Sequence, residues 1–169
     1  MTNCDFGKII EKSLNGNNPF FGDQLNETGK DLLNFLADNN MSLNRLGGYW
    51  KSQSYYQVKY KNEAVCYILF NGTGDEERFS PLTVWTDDSN IDWYKECHLD
   101  KSIQKIAVTK IDICEKCGSC AGGKVKIIFG KEYKNICKTT FRFINPNNDE
   151  LNCIKELLLL RKNDIEKAR

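Results

Sequence analysis

The sequence predicts an α+β fold, a mostly antiparallel sheet of about five strands with helices packed on one face. Three observations carry this. Several segments alternate apolar and polar residues and are joined by short polar turns, the pattern of neighbouring antiparallel strands. Segments with helical spacing flank the strands and interrupt them once, giving the order α-β-β-β-α-β-β-α. The 169 residues, 40% of them hydrophobic, suffice for one buried core and show neither repeat nor linker. A single domain is expected, with 1–25 an N-terminal extension, 26–162 the core and 163–169 a charged tail.

Phe6 to Leu14 is a short helical candidate, closed by the turn from Asn15 to Pro19. A firmer helix opens near Asn26. Leu32, Leu33, Phe35 and Leu36 give it one apolar side, and Asp38-Asn39-Asn40 ends it. From Ser54 to Lys61 the period is two, with Tyr56, Val58 and Tyr60 on one face and Gln57 and Lys59 on the other. Asn62 marks a tight turn. Ala64 to Phe70 is apolar on both faces, as a central strand should be. After a polar loop, Leu82 to Trp85 is the next strand. Leu99, Ile103, Ile106 and Lys110 predict a short amphipathic helix. Lys124–Phe129 and Ile136–Ile144 are two further strands, with Gly130 to Tyr133 connecting them. Asn147 and Glu150 have capping-box spacing before a final helix from Asp149 to about Lys162. Leu151, Ile154, Leu158 and Arg161 form one face of that helix, with Cys153, Leu157 and Leu160 beside it.

Charge narrows the partners. The net charge of +1 excludes a polyelectrolyte partner on bulk charge alone. Its distribution is uneven: residues 72–100 carry eight acids against Arg78 and Lys95, a net of −6, and residues 101–142 carry ten bases against Asp112, Glu115 and Glu132, a net of +7. Mutual compensation is the expected role of these blocks, and a nucleic-acid face on 101–142 is the minority reading. No apolar run approaches the ~18 residues of a membrane span. The start, Met1 to Phe6, lacks the charged-then-apolar order of a signal peptide. The expected compartment is the cytoplasm, where the eight cysteines are thiols rather than four disulfides.

The distinctive chemistry lies in Ile113 to Lys124, where Cys114, Cys117 and Cys120 recur every third residue beside glycines. Gly118 to Lys124 fits Gly-x4-Gly-Lys, but Val125 stands where a phosphate loop needs Ser or Thr, and a strand follows rather than a helix. An iron–sulfur run would need a fourth cysteine at 124, which is Lys. A redox pair gains reactivity at a helix N-terminus, and none follows either pair. Zinc fits better, because thiolates two residues apart on a glycine-containing turn converge on one tetrahedral ion. The expected fourth ligand is Cys137, then Cys97, then His98. Redox or metal transfer by the same cysteines is the alternative.

The order Trp50, Tyr56, Val58, the strand Val65 to Leu69 and the closing run from Leu157 to Lys162 resembles small bacterial domains of the YdhG-like superfamily. The cysteine segment, followed by Phe129-Gly130-Lys131 and by Thr139 to Phe143, resembles a clostridial-type variant of them. The resemblance implies a fold and a small-ligand cleft, with no reaction and no catalytic residues.

Trp50, Tyr56, Trp85 and Phe143 are the candidate cleft residues. With one histidine in the chain, no catalytic triad or Cys-His arrangement is visible. The expected function is a small cytoplasmic binding domain with a structural zinc site and a small-molecule or protein partner, not a membrane.

Overall fold

The computed structural model describes residues 23–46, 54–70, 82–86, 99–115 and 122–168. The helical candidate Phe6–Leu14 and most of the acidic block lie outside these residues. The first described helix, α1 (Asp23–Asp38), buries Leu32, Leu33 and Leu36. Asn40 ends it in the left-handed region at φ 56, with Asn40 N–H bonding Ala37 O and Met41 N–H bonding Leu36 O. This is a Schellman termination, sealed by the burial of both Met41 and Leu36.

Strand β1 (Ser42–Arg45) pairs antiparallel with β2 (Ser54–Tyr60), which turns into β3 (Glu63–Phe70). The two turn residues, Lys61 and Asn62, both have positive φ, the two-residue geometry that suits the twist of a hairpin. β3 is interior to the sheet, flanked by β2 and β4 (Leu82–Thr86). Helix α2 (Lys101–Thr109) starts at Asp100, whose carboxylate accepts from Ser102 N–H at 2.7 Å. Then follow β5 (Ile111–Ile113), β6 (Lys124–Ile128), β7 (Lys131–Ile144) and α3 (Asn148–Lys167). Both halves of the expected capping box form at α3: Glu150 N–H reaches the Asn147 side chain at 3.0 Å, and Asn147 N–H reaches the Glu150 carboxylate at 3.1 Å.

The fold is α+β, and its sheet is antiparallel throughout the described pairings. Among the described residues it has seven strands rather than about five, in the order β1-β2-β3-β4-β7-β5 with β6 on β7. The extra strands are β1 and β5, four and three residues long, too short to establish a period. Val58, Ile68, Val84, Phe141 and Phe143 on one sheet face join Leu32 and Leu36 of α1, Ala107 of α2, and Leu151, Ile154 and Leu158 of α3 in one core.

Two further expectations need correction. α3 continues to Lys167 instead of stopping near Lys162, because Ile165 is buried in the core and Glu166 accepts from the Tyr60 hydroxyl at 2.5 Å. Likewise β7 begins at Lys131, not Ile136, after a tight turn at Phe129 and Gly130, both with positive φ.

β7 does not run straight. Phe129 at the hairpin tip stacks on Phe141 with ring centroids 6.2 Å apart. A straight strand would set Lys131 and Phe141 roughly 33 Å apart. The bend falls at Asn135, whose φ is 59, and the register on both neighbouring strands slips nearby. Lys126, almost wholly buried, ties the folded hairpin down by donating to Thr140 Oγ1 at 2.8 Å and to Lys138 O at 3.0 Å.

Candidate functional site

The cysteine loop leaves the sheet from β5 and returns through β6, so its two ends flank β7. Both ends meet Asn135. Cys114 N–H donates to Asn135 O at 2.8 Å, and Asn135 Nδ2 donates to Cys114 O at 3.0 Å. On the other side Gly123 lies so close that a Cβ there would stand 2.8 Å from Asn135 Cα and 2.6 Å from its carbonyl carbon. Only glycine fits that approach. Asn135 itself suits the bend because a short polar side chain tolerates the left-handed region.

Two residues beyond this clamp stands Cys137, just past the open end of the β6–β7 hairpin, where Lys124 pairs with Ile136. Ile113 pairs with the same Ile136 from β5, and Asp112, at the register shift beside it, interacts with the Cys137 side chain. Cys114 is buried and Cys137 half-buried, and both are thiols rather than a disulfide pair. Burial pushes the Cys137 thiol up, the charges of Asp112 and Cys114 add to that rise, and hydrogen bonding to Thr139 opposes it. Thr139 Oγ1 lies 3.7 Å from Cys137 Sγ. Asp112 is also buried. Desolvation raises its carboxyl, while Arg142, at 3.0 Å, and the Cys137 thiol pull it down.

The structure therefore brings Cys137 and Cys114 together and supplies two neighbours that spacing did not single out, Asp112 and Asn135. Only an asparagine interrupting the strand pattern after Lys134 hinted at the bend. Cys117, Cys120, Cys97 and His98 lie outside the described residues. Among the described residues, no three His, Cys, Asp or Glu side chains are grouped as a metal ion would require.

The aromatic cleft does not assemble as expected. Tyr56, Ile68, Val84 and Phe143 are successive cross-strand partners, so Tyr56 and Phe143 share the core face. Trp85, one residue on from Val84, points to the opposite face. There it meets Tyr55 edge-on at 6.1 Å, and Tyr55 stacks on Tyr67 at 6.0 Å. Burial, reinforced by the Tyr67 charge, pushes the Tyr55 hydroxyl up to about 12. Trp50 lies outside the described residues.

Compared with known protein families, curated proteins and solved structures, the chain finds no match. Among the described residues no helix is long and apolar enough to cross a membrane.

Proposed function

We propose that the chain is a small cytoplasmic binding domain of YdhG-like type whose Cys-x2-Cys-x2-Cys loop is pinned by a structural zinc ion. Cys114, Cys117, Cys120 and Cys137 would hold it, with Cys97 or His98 as the alternative fourth ligand. The position of Cys137 carries this reading. It stands at the base of the loop beside Cys114, 23 residues away in sequence, where a fourth thiolate is needed. Zinc on four protein ligands is a closed site that contributes folding energy and does not activate water. The YdhG-like reading rests on the residue order from Trp50 to Lys162, and thiolate ligands suit a reducing compartment.

The redox alternative rests on the loop cysteines Cys114, Cys117 and Cys120, whereas burial raises the Cys137 thiol. Metal must displace a proton from that thiol, so affinity should fall as pH drops.

Elemental analysis of protein purified without chelator should find about one zinc per chain. Single Ser replacements at Cys114, Cys117, Cys120 or Cys137 should lower metal content and melting temperature together. Cys153→Ser, buried near Ile103 on α2, should leave metal content unchanged. Metal-free protein of undiminished stability would reject the reading, and a visible absorption band after anaerobic purification would replace zinc with an iron–sulfur cluster.

A further inference from the structure

Because β7 bends at Asn135, the hairpin tip faces α2 across an open groove of about 430 Å³. That volume falls within the roughly 300–1,000 Å³ of small-molecule sites. Its helical wall is a stripe at i, i+3, i+4 and i+7: Lys101, Gln104, Lys105 and Val108. Ala107, off that stripe, is buried in the core, with Ile103 and Ile106 packed against it. On the strand wall, alternation puts Lys131 and Tyr133 on the groove side and Glu132 on the other. Phe129 closes the tip. It holds a left-handed φ of 50 that is costly for a bulky side chain and is braced by its stack on Phe141. Among the described residues, none of those lining the groove is acidic. Two carboxylates are adjacent in sequence to lining residues: Glu132, on the other face of its strand, and Asp100, engaged in capping α2 through Ser102. Three lysines, Lys101, Lys105 and Lys131, thus line one concavity beside the apolar Val108, Ile128 and Phe129.

We propose that this groove binds a small phosphorylated ligand. Lysine ammonium groups on two facing walls supply point charges for phosphate oxygens, while the Gln104 amide is held on the helical wall by donating to Leu99 O at 2.8 Å. Phe129 and Val108 leave an apolar surface for the organic portion. The Lys131 ammonium rests 5.4 Å from the centre of the Tyr133 ring, a perch from which it can swing onto an anion. The residues lining the groove include none of the candidate zinc ligands, so the proposal stands or falls independently of the zinc reading.

The test is an NMR titration of the full chain with inorganic triphosphate and with adenosine triphosphate at low salt, using sulfate at matched ionic strength as the control. Saturable shifts at Gln104, Val108 and Tyr133 are expected with both phosphates and not with sulfate. Lys105→Gln and Lys131→Gln, both at exposed positions, should each weaken binding on the order of fivefold without changing the circular dichroism spectrum. Non-saturating shifts spread over all surface lysines, or undiminished binding by both variants, would overturn the proposal. So would a short single-stranded DNA oligonucleotide that binds the same residues more tightly than either phosphate, which would assign the groove to nucleic acid.

Discussion

Asn135, exposed on β7, carries two structural roles at once. Its left-handed backbone bends β7, and its side chain and carbonyl hold Cys114. Two substitutions separate these roles. Asn135→Gly keeps the conformation and loses one hydrogen bond, a cost of about 1 kcal/mol. Asn135→Ala loses the same hydrogen bond and keeps a Cβ in the left-handed region without the polar side chain that makes asparagine tolerant there, adding about 1–2 kcal/mol relative to Gly. Urea denaturation should therefore rank wild type above Gly and Gly above Ala, and an Ala variant as stable as Gly would mean the bend relaxes without cost. A second residue carries a pH signature. Burial, aided by the charges of Glu150 and Glu156, pushes the Cys153 thiol up to about 12. The neutral thiol is the form the fold prefers, so its contribution is complete below the ordinary thiol range and is lost as pH rises toward about 12. Cys153→Ala should flatten the alkaline fall in urea midpoint between about pH 8 and pH 11. An unchanged slope would show that the thiol does not ionise against the fold.

At the scale of elements, the closing helix separates what sequence periodicity conveys from what it misses. Its apolar face and its cap were legible: Leu151, Ile154, Leu157 and Leu158 are buried, and Asn147 and Glu150 bond reciprocally. Leu158→Ala should cost roughly 2–5 kcal/mol, as expected for a fully buried leucine. Its last turn was not legible, because Asn163-Asp164-Ile165-Glu166-Lys167 has one apolar residue among polar ones and reads as a solvated tail. Ile165 nevertheless reaches the core, and Asp164 pairs with the buried Arg161. Deleting residues 163–169 should lower stability by roughly 1.5–3 kcal/mol in thermal or urea melts, the value of one buried isoleucine side chain. A truncated protein that melts with wild type would return those residues to the status of a tail. The β6–β7 hairpin teaches the same lesson. Both strands were visible by alternation, whereas the bend between Ile136 and the tip depends on one asparagine.

For the whole molecule, the order of strands matters more than their number. β3 lies inside the sheet with Ile68 fully buried between Tyr56 and Val84 as cross-strand partners. Ile68→Asp would bury an unpaired charge and should abolish soluble folding, visible as loss of the soluble fraction and of far-ultraviolet dichroism. A folded Ile68→Asp protein would contradict this topology. Periodicity of two, the Asn62 turn, the helical stripes and the asparagine cap act over a few residues, and their physics is complete within the segment that carries it. These were enough to determine an antiparallel α+β fold and its core. The insertion of β7 between β4 and β5, the meeting of Cys114 with Cys137, the scattering of the aromatic set over two sheet faces and the lysine-lined groove were decided only in three dimensions. Each depends on pairing between strands tens of residues apart, and on a backbone bend that turns one end of a long strand back over the other. Alternation within a segment says which face a side chain takes, but not which strand lies beside it.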